Sequence, residues 1–113
     1  MKKLCVLVAN HPRAYREAIA AALRLVRPHI EVVVADDLDH DLVCLAPDVV
    51  LCSSASAALH GVRAWVDLYP DGASTSTIFL DGVRRNVDAV TLPDLVRFVA
   101  EVEHVCRSVC ETA

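Results

Sequence analysis

Hydrophobic positions fall into short unbroken runs and, between them, into helical steps. Lys3 to Ala9 is an aliphatic run that ends at Asn10-His11-Pro12, where a cap-type residue and an early proline predict a strand followed by a helix. From Pro12 to Arg27, Tyr15, Ala18, Ile19, Ala22, Leu23 and Val26 recur at helical spacing, and Pro28 stops the pattern. Ile30 to Ala35 is almost entirely β-branched, which suits a strand covered on both faces. Asp36 and Asp37 then cap a short helix that turns Leu38, Leu42 and Leu45 inward and closes at Pro47. Val49 to Cys52 is a third buried strand, leading through Ser53 and Ser54 to a short helix that Gly61 can end. This β-α-β-α-β order predicts parallel strands joined by right-handed crossovers.

Beyond Gly61 the pattern changes. Residues 63 to 69 fit two readings: Val62, Trp65, Val66 and Tyr69 share a helical face, yet the segment also alternates as a strand. The turn signals Pro70-Asp71-Gly72 and Asp81-Gly82 bound strand-length segments at 74 to 80 and 83 to 90, which favours an antiparallel meander. Thr91 to Asp94 resembles a capping box with proline in the first turn. The long helix it opens carries Leu92, Leu95, Val99, Val102, Cys106 and Val109 along one seam, widened by Phe98 and Val105. That stripe is broad enough to pack on a sheet, or to form a homodimer, for which an exposed meander edge is the other route. The expected fold is a single three-layer α/β domain over residues 1 to 113, parallel in its first half, antiparallel in its second, with a long C-terminal helix.

Composition narrows the function. With 55% apolar and 23% charged residues the chain reads as a compact domain, and a net charge of -4 argues against a nucleic-acid partner. The apolar run after Lys2 and Lys3 breaks at Asn10, too short for a signal peptide or a membrane span, so a cytoplasmic protein without membrane contact is expected. Cys5, Cys44, Cys52, Cys106 and Cys110 are odd in number and several lie within apolar runs, so they are read as buried free thiols. His40 with Cys44, and Cys106 with Cys110, are each one turn apart, but zinc needs about four converging ligands, and no metal site is assigned. Glycines number only three and form no phosphate loop, so no cofactor is expected.

The segment Val6-Leu7-Val8-Ala9-Asn10-His11-Pro12, followed by Arg16, together with Pro47-Asp48-Val49-Val50-Leu51-Cys52-Ser53, resembles the response-regulator receiver domains of two-component signalling. The resemblance covers about residues 2 to 54 and implies a flavodoxin-like parallel sheet. In such domains two acids after the first strand hold magnesium, and an aspartate ending the third strand accepts a phosphoryl group. Here Ala9, Asn10 and Ser53 stand in those places. Magnesium requires hard anionic oxygens and the acyl phosphate requires a carboxylate nucleophile. The lysine such domains carry on a late strand is also missing, because Lys2 and Lys3 are the only lysines. The resemblance therefore implies a pseudo-receiver, a non-catalytic signalling module acting through protein contacts.

Two surfaces are candidates for function. Ligands of parallel sheets sit beyond the carboxyl ends of the strands, which places Asn10, His11, Asp36, Asp37, Ser53 and Ser54 on one rim. That rim could serve a small enzyme or ligand-binding domain, with Ser53 or Ser54 beside His11 as nucleophile and base, although no Gly-x-Ser-x-Gly turn surrounds the serines. The same residues also occupy positions where helix caps are expected. The second surface is a stripe of Arg13, Arg16, Arg24 and Arg27 along one side of the first helix. It is expected opposite the apolar face, where it would dock an acidic protein or simply be solvated.

Overall fold

The computed structural model describes residues 3–10, 13–53, 59, 61–68, 75–88 and 90–112, with side chains up to 106. In chain order the elements are β1 (Cys5–Ala9), α1 (Arg13–Val26), β2 (Glu31–Val34), α2 (Leu38–Leu45), β3 (Val49–Cys52), β4 (Ala64–Asp67), β5 (Thr75–Leu80), β6 (Val83–Asp88) and α3 (Leu92–Thr112). The described strands form one sheet in the order β2-β1-β3-β4-β5-β6. The segment at 63 to 69 is a strand, and β4 pairs parallel with β3 through Val49↔Ala64 and Leu51↔Val66. Four strands are therefore parallel where three were expected, and the antiparallel part is β5 and β6.

Unbroken aliphatic runs suit the middle of this sheet because both faces are covered. Val6, Val8, Val49, Leu51 and Val66 pack with Ile19, Ala20 and Leu23 of α1 and with Leu95, Phe98, Val99 and Val102 of α3. On the opposite face Leu7, Val50 and Trp65 pack with Leu38, Leu42 and Leu45 of α2, and with Leu59. The result is three layers, with two helices on one side and the short helix on the other. Burying each Val or Leu of the central strands contributes roughly 1.5–3 kcal/mol, so the sheet centre anchors the fold.

Local signals set the boundaries of the elements. Asp37 is the N-cap of α2, and Ala46 closes that helix at φ 44°, donating its N–H to Leu42 O at 3.2 Å. Pro47 then prevents continuation. The β5–β6 hairpin turns through Asp81 at φ 48° and Gly82 at φ 87°. Two successive positive φ values define the type I′ turn, whose twist matches the flanking strands. Thr91 Oγ1 accepts from Asp94 N–H at 3.4 Å while Asp94 Oδ2 accepts from Thr91 N–H at 2.9 Å, so the expected capping box starts α3.

α1 is rotated relative to its expected face. Ile19, Ala20 and Leu23 are its buried residues, whereas Tyr15 and Val26 remain 42% and 55% exposed. Arg16 and Arg27 share the angular sector of the buried stripe instead of opposing it. Ala22 and Val26 turn toward α3 and, with Leu92, Pro93, Val96, Arg97 and Ala100, line an open apolar groove of about 500 Å³. The helical apolar stripe is thus divided between the sheet and the groove.

Candidate functional site

Because the parallel strands run side by side, the rim places the residues after β2, β1 and β3 in that lateral order. Asn10 follows β1 and is fully buried. Its Nδ2 donates to Cys52 O at 3.0 Å and to Ser53 Oγ at 3.4 Å, so the side chain staples the end of β1 to the end of β3. The Cys52 carbonyl dictates the amide's orientation, since the opposite flip would set two acceptors against each other. Asn10 Oδ1 is left buried with no hydrogen-bond partner among the described residues.

The acids after β2 serve α2. Asp37 Oδ1 accepts from His40 N–H at 3.4 Å, and Asp41 Oδ2 accepts from the N–H groups of Asp36 and Asp37 at 3.1 and 3.4 Å. These bonds satisfy donors at the start of a helix, as capping requires. Asn10 and Ser53 are joined to each other, while Asp36 and Asp37 stand on the other side of β1. His11 and Ser54 lie outside the described residues.

Sequence reasoning missed Asp67. It ends β4 and is only 6% exposed, one of the few buried charged residues described. Its register partners are Cys52 on β3 and Thr77 on β5, and Thr77 Oγ1 donates to Asn86 Oδ1 at 3.1 Å. A polar row, Cys52-Asp67-Thr77-Asn86, therefore continues the rim across the sheet. The available signal was an acid interrupting the apolar segment Ala64–Leu68, whose pattern fits both a helix and a strand. Beside this row Trp65 stacks on Phe79 with centroids 5.2 Å apart, and the Arg84 guanidinium lies 5.4 Å from the Trp65 ring.

All four candidate docking arginines have partners within the chain, three of them outside α1. Arg16 Nη1 donates to Ala35 O, and Arg24 Nη2 donates to Val32 O at 2.8 Å. Arg27 pairs with Glu103 of α3, which His29 Nε2 also approaches at 2.8 Å. Arg13 is paired with Glu17 at 3.0 Å on the exposed surface. The stripe therefore ties α1 to β2 and α3.

The thiols also differ from expectation. Cys5 and Cys52 are buried, but Cys44 is exposed and Cys106 partly exposed, so the buried-thiol reading fails for these two; the side chain of Cys110 lies outside the described residues. Cys44 Sγ lies 3.5 Å from His40 Nε2, a contact within one helix. Among the described residues no helix is long and apolar enough to cross a membrane. No family model, curated protein or solved structure matches the chain.

Proposed function

We propose that this chain is a non-catalytic regulatory module of receiver-like organisation, acting through protein contacts in a cytoplasmic signalling assembly. The observation that carries the reading is the bond from Asn10 Nδ2 to Cys52 O. At the place where a receiver keeps a magnesium-binding acid, this fold requires a donor, because the neighbouring group is a carbonyl oxygen. An ionised aspartate would present an acceptor to an acceptor in a buried setting. The β2-β1-β3-β4 order supports the same reading, being that of the doubly wound 2-1-3-4-5 sheet over its first four strands. Reversal of β5 removes the surface a receiver would use for output, so contacts must come from elsewhere on the domain.

The test is exposure to magnesium and acetyl phosphate followed by intact mass. An unchanged mass is expected, and a stable phosphoryl adduct would overturn the proposal. A second reading, a small-ligand site on the rim, is favoured by the buried and unpartnered Asn10 Oδ1. It requires a ligand carrying an N–H or O–H donor. Titration with such compounds while observing the Asn10 side-chain amide by NMR distinguishes the two, since a saturable shift there supports the ligand site.

A further inference from the structure

The two edges of the sheet are treated differently. On β2 the N–H groups of Glu31 and Ala35 bond to Leu4 O and Val8 O, so Val32 and Val34 turn their backbone groups outward. Arg24 occupies the Val32 carbonyl at 2.8 Å, and Arg16 takes the Ala35 carbonyl just beyond the strand. At the other end of the sheet β6 has β5 as its one neighbour among the described strands. Residues flanking a two-residue hairpin turn exchange both backbone bonds, so Val83, Arg85 and Val87 bond to β5. Arg84, Asn86 and Asp88 then turn their backbone N–H and C=O groups away from it.

We propose that β6 is a self-pairing edge, through which two copies of the chain join antiparallel about a twofold axis at Asn86 to form a continuous sheet. In this register Asn86 faces its own copy and Arg84 faces Asp88 of the second copy, twice by symmetry. All three outward-facing residues of each strand find hydrogen-bonded partners, and both cross-strand charge pairs are of opposite sign. Centring the axis at Arg84 or Arg85 instead puts arginine against arginine. Centring it at Val87 or Asp88 leaves outward groups of Arg84 unpaired. On the other face Val87 lies opposite Arg85 of the second copy, whose aliphatic stem can cover it. Because Arg24 occupies the outward Val32 carbonyl of the β2 edge, that edge is obstructed to a further copy, and assembly stops at two copies instead of extending into a filament. This inference rests on the sheet edge and stands whether or not the reading of the rim holds.

Sedimentation of the full chain over low to high micromolar concentration is the test. A concentration-dependent dimer is expected. Arg84→Asp or Asp88→Arg alone converts two attractions into repulsions and should weaken it roughly tenfold or more. The double variant Arg84→Asp/Asp88→Arg restores the pairing with charges exchanged and should recover the dimer. Asn86→Pro removes an outward-facing N–H without removing a backbone bond to β5, at the cost of the exposed Thr77 Oγ1 contact, and should give a folded monomer by circular dichroism. A monomer at every concentration overturns the proposal. So does a dimer insensitive to the single swaps and to Asn86→Pro, or folded single variants that weaken the dimer while the double variant fails to recover it.

Discussion

His29 Nε2 lies 2.8 Å from Glu103 Oε2, joining the turn after α1 to α3 across 74 positions of sequence. Arg27 donates to the other carboxylate oxygen, so Glu103, with a side chain only 10% exposed, is held from two sides. Burial is the largest influence on its carboxyl and pushes the pKa up. The hydrogen bonds from His29 and Arg27, together with their charges, outweigh it and leave the pKa below the ordinary 4.5. A lowered folded pKa means that the stabilisation is full above the unfolded value and is lost as pH falls through the folded one. Glu103→Gln should cost on the order of 2 kcal/mol at neutral pH. In urea unfolding, the gap between variant and parent should close in acid below about 4.5. A gap of constant size at every pH would show that this carboxylate's ionisation is irrelevant to stability.

The Arg24 contact predicts a smaller and differently placed loss. Its guanidinium satisfies an outward carbonyl of the β2 edge, so Arg24→Ala should lower stability by about 1 kcal/mol. It should also expose the edge that the arginine protects, and promote association of variants in which the β6 edge is blocked. Unfolding midpoints and sedimentation of Arg24→Ala combined with Asn86→Pro measure the two effects. A monomeric double variant of unchanged stability would remove the edge-capping role.

Much of this architecture was legible because its causes are local. Asp37, Pro47, Asp81-Gly82 and Thr91-Asp94 each act within a few residues, and their cap, stop, turn and capping box lie where the sequence places them. What could not be read depends on tertiary placement. Whether Arg16 and Arg24 face solvent or a backbone is decided by where β2 brings the carbonyls of Ala35 and Val32. A sequence that shows arginine as polar cannot show which distant backbone carbonyl its head will reach. The direction of β4 was hidden for a related reason, since parallel pairing with β3 is a property of the crossover between them and not of Ala64–Asp67. On the rim, Asn10 and Ser53 were placed together correctly, whereas Asp67 was lost with the ambiguity of its strand.

Asn10 provides a prediction specific to the donor at the end of β1. Asn10→Ala removes the donor to Cys52 O and should cost about 2 kcal/mol. Asn10→Asp puts an acid in place of the donor, and it should be the more damaging change at neutral pH, because a buried carboxylate would face a carbonyl oxygen. The folded state would then raise that aspartate's pKa. Its penalty is present above the raised value and relieved as pH falls toward the unfolded one. Comparing urea midpoints of the two variants at neutral and acidic pH checks this: the aspartate variant should start below the alanine variant and approach it in acid. If Asn10→Asp is the more stable at neutral pH, the donor requirement at this position is wrong.

Trp65, Phe79 and Arg84 sit directly across from one another on β4, β5 and β6, so their contributions can be separated by truncating one at a time. Trp65 is 6% exposed and stacks on Phe79 within the core, so Trp65→Ala should cost roughly 3–5 kcal/mol through the cavity it leaves. Arg84 is exposed and contributes a cation lying over the ring, which at such a site is worth about 0.5–1 kcal/mol. Arg84→Ala should therefore leave the domain folded with a small loss of stability and an altered Trp65 fluorescence. That outcome would also mean that any large effect of charge reversal at Arg84 on self-association comes from the β6 edge and not from unfolding. A loss for Arg84→Ala as large as that for Trp65→Ala would instead make the arginine part of the core, and charge reversal there would no longer isolate the edge.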